Sequence, residues 1–159
     1  MASIDEFIAF LEKYCSELET ACRNETQKRL ALISGDPAQL EALLQMQQAE
    51  TMRIQNFENK RLDMQKALGF EGLSAKMLVE TVEDPEKKRQ LADVLQRITD
   101  TATDIREQNR LSLEFANSSL KLMEQAAISA GIETQQSTYS PETARGGAHS
   151  KDSSFEKLV

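Results

Sequence analysis

The chain has 159 residues, of which 40 % are hydrophobic, 28 % charged and 5 % aromatic, with no Trp. That is enough for one domain, with a core built from Leu, Ile and Met rather than from rings. A net charge of -7 makes nucleic acid and anionic membrane poor partners. With no basic apolar leader and no run long enough to span a bilayer, the expected protein is soluble and cytoplasmic, without stable membrane insertion.

The first helix is predicted over residues 3–34. Ser3-Ile4-Asp5-Glu6 forms a capping box, in which the Ser hydroxyl and the Glu carboxylate satisfy each other's free amides. Ile4, Phe7, Ile8, Leu11, Cys15, Leu18 and Cys22 share one face. This stripe weakens around Glu25 and resumes at Leu30 and Ile33. Ser34-Gly35 ends the helix, Gly taking the left-handed cap. Asp36-Pro37-Ala38-Gln39 starts the next helix at once, over 36–68, with Asp as cap and Pro at the first position. Its stripe is Leu40, Leu43, Gln47, Ile54, Phe57, Met64 and Leu68, interrupted by Gln47, Glu50 and Arg61. So short a break makes the two helices an antiparallel hairpin.

Gly69 opens a connector. Ser74 caps a short helix over 74–82 that holds Met77, Leu78 and Val82 and lids one end of the bundle. Asp84-Pro85 then starts a helix running to Ala130, roughly 70 Å at the α-helical rise and roughly 20 Å longer than either hairpin arm. The bundle is expected to be organised around this helix. Its core stripe reads Leu91, Leu95, Ile98, Ala102, Ile105, Asn109, Leu113, Ala116, Leu120, Met123 and Ala127. The alternation of fours and threes slips at Asn109, a stutter. From that point Leu111, Phe115, Leu122 and Ala126 form a second stripe about 120° from the first. It needs a cover: the chain itself, a further helix, a second copy or a client. The two-stripe pattern predicts that Leu111, Phe115 and Leu122 are more exposed in the free chain than Leu113, Leu120 and Met123.

The expected fold is therefore all-α: an elongated antiparallel bundle of three long helices plus a short connector helix within 1–131, followed by a flexible polar tail over 132–159. Cys15 and Cys22 lie on one face of one helix, about 10 Å apart by the helical rise and too far for a disulfide. They read as small buried thiols in a reducing compartment. His149 is the lone His, which rules out a helical Glu-x-x-His metal site. Neither a phosphate loop nor a nucleophile elbow is present. The reading is not an enzyme, with no cofactor and no metal.

Several segments together resemble the FlgN-type flagellar export chaperones. They are Leu32-Ile33-Ser34-Gly35-Asp36 followed by Leu40; Gln108-Asn109-Arg110-Leu111 with Ser112-Leu113 and Leu120; and Thr138-Tyr139-Ser140, then a spacer with Gly146-Gly147 and the closing Phe155-Glu156-Lys157-Leu158-Val159. The resemblance implies an elongated helical bundle. It also implies a cytoplasmic chaperone that binds the helical termini of hook–filament junction proteins, prevents their premature assembly and hands them to the type III export gate. On that reading Leu111, Phe115, Leu122 and Ala126 hold the client, Tyr139 docks on the gate, and Phe155 and Leu158 are tail anchors. The rival is a structural coiled-coil or adaptor protein that self-associates, as a homodimer, through its long helix.

Overall fold

A computed structural model describes residues 3–131. They form four helices: α1 (Ile4–Ser34), α2 (Pro37–Ala67), α3 (Ala75–Thr81) and α4 (Pro85–Ser129). Each begins as its sequence dictates. Ser3 and Glu6 make the capping box, and Asp36, Ser74 and Asp84 accept from the first-turn amides of the helices that follow them. Between α1 and α2, Gly35 sits at φ 69 and ψ 32, a conformation that costs an L-residue and not a Gly. The N–H groups of Gly35 and Asp36 both return to the Ala31 carbonyl.

The fold is all-α, as expected, but α1 is its spine rather than α4. Both α2 and α4 pack on α1, while α3 packs on α4. α2 runs back along α1 and α4 runs forward with it. Lys87 pairs with Asp5, Arg97 with Glu12, and Lys28 donates to Asn109, so both numberings rise together. With that register the hairpin turn at Gly35 lies level with about residue 116, and the remainder of α4 projects past it by roughly 20 Å.

The apolar core occupies the end where α1 and α4 begin. Phe7, Leu11, Tyr14, Cys15 and Leu18 meet Leu78, Leu91, Val94, Leu95 and Ile98 there. Phe10, Tyr14 and Ala21 are buried in addition to the expected stripe, because α1 has a neighbour on each side and buries a wider face than a one-partner helix would. Each fully buried Leu, Ile or Phe contributes about 1.5–3 kcal/mol by removal from water. α3 closes this end through Leu78 and Val82, while Met77 is left exposed.

Three expectations are corrected. The stripe of α4 does not stay in the core along its length: past Ile98 only Ser112 is buried, and Leu113 and Met123 are exposed. On α1, Leu30 and Ile33 are likewise exposed, and Cys22 is only half-buried. The cause is common to both. Just beyond Ala21 the contact positions are taken by polar side chains such as Glu25, Lys28, Gln47, Glu50 and Asn109, and past them the apolar faces of α2 and α4 border an open groove instead of a closed core. Finally, the buried residues of α2 are Glu50, Glu58, Arg61 and Gln65, all polar, with Ile54, Phe57 and Met64 only half-buried beside them.

Candidate functional site: an apolar groove closed by a polar belt

Two buried hydrogen-bonded clusters lie along α2, apart from the exposed Arg53–Glu17 pair. At the core end, Tyr14 donates to Glu58 Oε2 at 3.1 Å. Arg61 grips the same carboxylate through Nε at 2.9 Å and Nη2 at 2.5 Å, and reaches Gln65 Oε1 at 2.7 Å. Gln65 in turn donates to the carbonyls of Phe70 and Leu73. The carboxylate, guanidinium and amide are thus satisfied out of water, as buried charges must be. Burial, with Glu58 beside it, pushes the Tyr14 hydroxyl well above its ordinary pKa. This cluster fixes the connector over the core.

The second cluster is a belt across the middle of the molecule. Lys28, at the centre of the face that α1 turns to its neighbours, pairs with Glu25 at 2.8 Å. It also donates to Gln47 of α2 at 3.3 Å and Asn109 of α4 at 3.4 Å. Gln47 donates to Glu25 at 2.9 Å, and Asn24 to Glu50 at 2.6 Å. Burial holds the Glu50 carboxyl above the usual carboxylate range, partly offset by the Asn24 bond. Nearby, Gln108 Oε1 and Ser112 Oγ are buried without a hydrogen-bond partner.

Beyond the belt the space between α2 and α4 opens into a groove of about 500 Å³. Leu32 of α1 and Leu40 and Leu44 of α2 form one side. Leu113, Phe115, Ala116, Ser119, Leu120 and Met123 of α4 form the other, and Lys28, Asn109 and Ser112 close the inner end. From Asn109 to Met123 the groove follows α4 for roughly 20 Å. Leu30, Ile33, Leu44, Met46, Leu113, Leu122, Met123 and Ile128, all large and exposed, also lie at this end. So dense an apolar surface exceeds the ordinary scatter of single exposed hydrophobic residues.

Of the four residues picked out by the second stripe, Phe115 lines the groove. Leu111 is half-buried, and Leu122 and Ala126 are exposed on the overhang. The expected order of exposure does not hold. Leu113 at 38 % and Met123 at 68 % are open, whereas Leu111 and Phe115 are half-covered. Once the core ends, the first stripe stops being a core stripe and becomes the groove's wall. Leu32, Leu40 and Leu44 were missed as site residues, although Leu40 had been placed on the facing side of its helix. Tyr139, His149, Phe155 and Leu158 lie outside the described residues.

Cys15 is buried and its thiol is pushed up to about 11, first by burial and then by the Glu19 hydrogen bond, the opposite of an activated thiolate. Among the described residues there is no group of His, Cys, Asp and Glu suited to a metal ion, and no helix long and apolar enough to cross a membrane. What the site offers is an apolar trough, of the size and shape of a helix face.

Fold and site together define an all-α bundle with an open apolar groove at one end. The chain matches the FlgN protein family over residues 1–145 and belongs to that family. Membership points to a chaperone role in the flagellum rather than to an enzyme family. No curated protein matches the chain, and no solved structure does.

Proposed function

We propose that the protein is a cytoplasmic export chaperone for hook–filament junction proteins. It holds an amphipathic terminal helix of the client in the groove between α2 and α4, prevents premature assembly, and delivers the client to the type III export gate. The apolar groove at the end away from the core carries this reading, and family membership supports it. A helix-in-groove mode needs no nucleotide. Each Leu or Phe that the client and groove cover contributes about 1.5–3 kcal/mol before ordering costs, so a micromolar or tighter complex follows from a few such anchors. Phe115, Leu113, Leu120 and Met123 form the client face of α4, and Leu111, Leu122 and Ala126 extend it along the overhang. Tyr139 docks the loaded complex on the gate, while Phe155 and Leu158 act as accessory tail anchors.

The test pairs calorimetry on purified chain and junction protein with measurement of the client secreted into the medium. Phe115→Asp should lower client affinity at least tenfold. Tyr139→Ala should leave affinity intact and reduce secretion. Unchanged affinity with Phe115→Asp would refute groove binding. Exposed Leu122, Met123 and Ile128 on the overhang favour one other reading, self-association through α4. A dimer whose mass is lost with Leu122→Asp, and which takes up no junction protein, would establish it instead.

A further inference from the structure

Asn109 stands where the groove meets the belt, and its amide is held in one orientation. Lys28 can only donate, so the Asn109 group 3.4 Å from its Nζ is the oxygen. The amide nitrogen therefore faces away from Lys28. It has no partner among the described residues and is not among the buried unpartnered atoms; the residue is half-buried and lines the groove. Elsewhere in the belt Gln47 uses both ends of its amide, Lys28 pairs with Glu25 and donates to Gln47 and Asn109, and Asn24 occupies Glu50, while the buried Ser112 hydroxyl at the same end is without a partner. A donor of fixed orientation is thus left, beside the Ser112 hydroxyl and Lys28, at the inner end of a trough whose remaining walls are Leu, Phe, Ala and Met with Ser119.

We propose that Asn109 reads the partner: its amide nitrogen takes the side-chain carbonyl oxygen of a Gln or Asn on the docked helix and so sets that helix's register. This rests on the groove being the docking site. A polar side chain at one position of an apolar seam is a known register device in helix packing, because any slip leaves it unpaired. Charge decides which acceptor fits. Glu25 neutralises Lys28, and Glu50 lies in the same belt, so no spare positive charge is available to favour a carboxylate, and a neutral amide is preferred. The partner is then an amphipathic helix with about four turns of apolar stripe, the length of the groove, and one amide side chain at the end that meets the belt.

The test uses two synthetic helical peptides of that length. They are identical except that the terminal stripe position is Gln in one and Leu in the other, and both are titrated into the full-length chain. The wild type should prefer the Gln peptide by about tenfold. Asn109→Asp keeps the oxygen that Lys28 needs but removes the donor, and Asn109→Leu removes both. Asn109→Leu should abolish or invert the preference while the Leu peptide still binds, with helicity unchanged by circular dichroism; Asn109→Asp turns the free donor into an acceptor, which the Gln side chain can meet only through its own N–H. A Gln preference that survives Asn109→Leu, or no preference in the wild type, overturns the role of Asn109 and leaves the groove standing. Failure of both peptides to bind the wild type overturns groove docking itself, and this inference with it.

Discussion

Removing Arg61 should be among the most damaging single changes in the molecule. Its guanidinium is 3 % exposed, and it makes two bonds to Glu58 and one to Gln65. Arg61→Met fills much of the same volume but leaves the Glu58 carboxylate, itself 2 % exposed, with only the Tyr14 hydroxyl. An uncompensated buried charge of this kind costs about 3–5 kcal/mol, a third or more of the stability of an ordinary domain. At about 2–4 °C per kcal/mol for a chain of this size, Tm should fall by roughly 6–20 °C. Adding Glu58→Gln removes the stranded charge and keeps an acceptor for Tyr14. The double variant should regain at least about 2 kcal/mol over Arg61→Met, the signature of a coupled pair in a double-mutant cycle. Urea unfolding followed by far-UV circular dichroism, with all four proteins compared at equal slope, measures both quantities. A loss under about 1 kcal/mol for Arg61→Met, or a double variant no more stable than the single one, would show that water reaches this cluster and that the burial argument is wrong.

Phe115→Asp and Leu120→Asp both act in the groove, so each should change the unfolding free energy by less than about 1 kcal/mol, whereas Leu95→Asp should unfold the chain; thermal melts separate the three. Gly35→Val, at φ 69 with open space around its α-carbon, should cost on the order of 1 kcal/mol or more through backbone strain alone, read from the same urea titration. Glu50 has its pKa raised by the fold, so its contribution is most favourable below the ordinary carboxyl pKa and is lost as pH rises through the raised value. Glu50→Gln should therefore be more stable than the wild type at neutral pH. The two should converge as pH falls through the carboxyl range, and a gap that widens there would reverse the assigned sign.

The caps, the Gly35 break and the helix count were legible because each depends on a few adjacent residues. The belt was legible only in pieces. The weakened stripe at Glu25, the interruptions at Gln47 and Glu50 and the stutter at Asn109 were each visible on their own helix. That Lys28 gathers Gln47 and Asn109 depends on inter-helix register, which periodicity within one helix does not contain. The same limit hid the fate of Leu113 and Met123. A stripe reports that a face is apolar, but whether a partner covers it is decided by helices far away in sequence. Tyr14 and Glu58 escaped for another reason: each looks like a surface residue until its partners are brought beside it, and Arg61 was visible only as an interruption of its stripe.

The belt also divides the molecule's cooperativity. On one side, Leu11, Leu18, Leu91 and Ile98 are locked into a dry cluster. On the other, Leu30, Ile33, Leu44 and Met123 lie open, and the tip of the hairpin is tied to α4 chiefly through Lys28. Local opening free energy follows buried contact. Amide hydrogens of the hairpin tip and the distal half of α4 should therefore exchange by small excursions, while those of the closed end wait for global unfolding. The closed end is then a rigid handle and the groove end a softer jaw, whose local openings leave the handle intact.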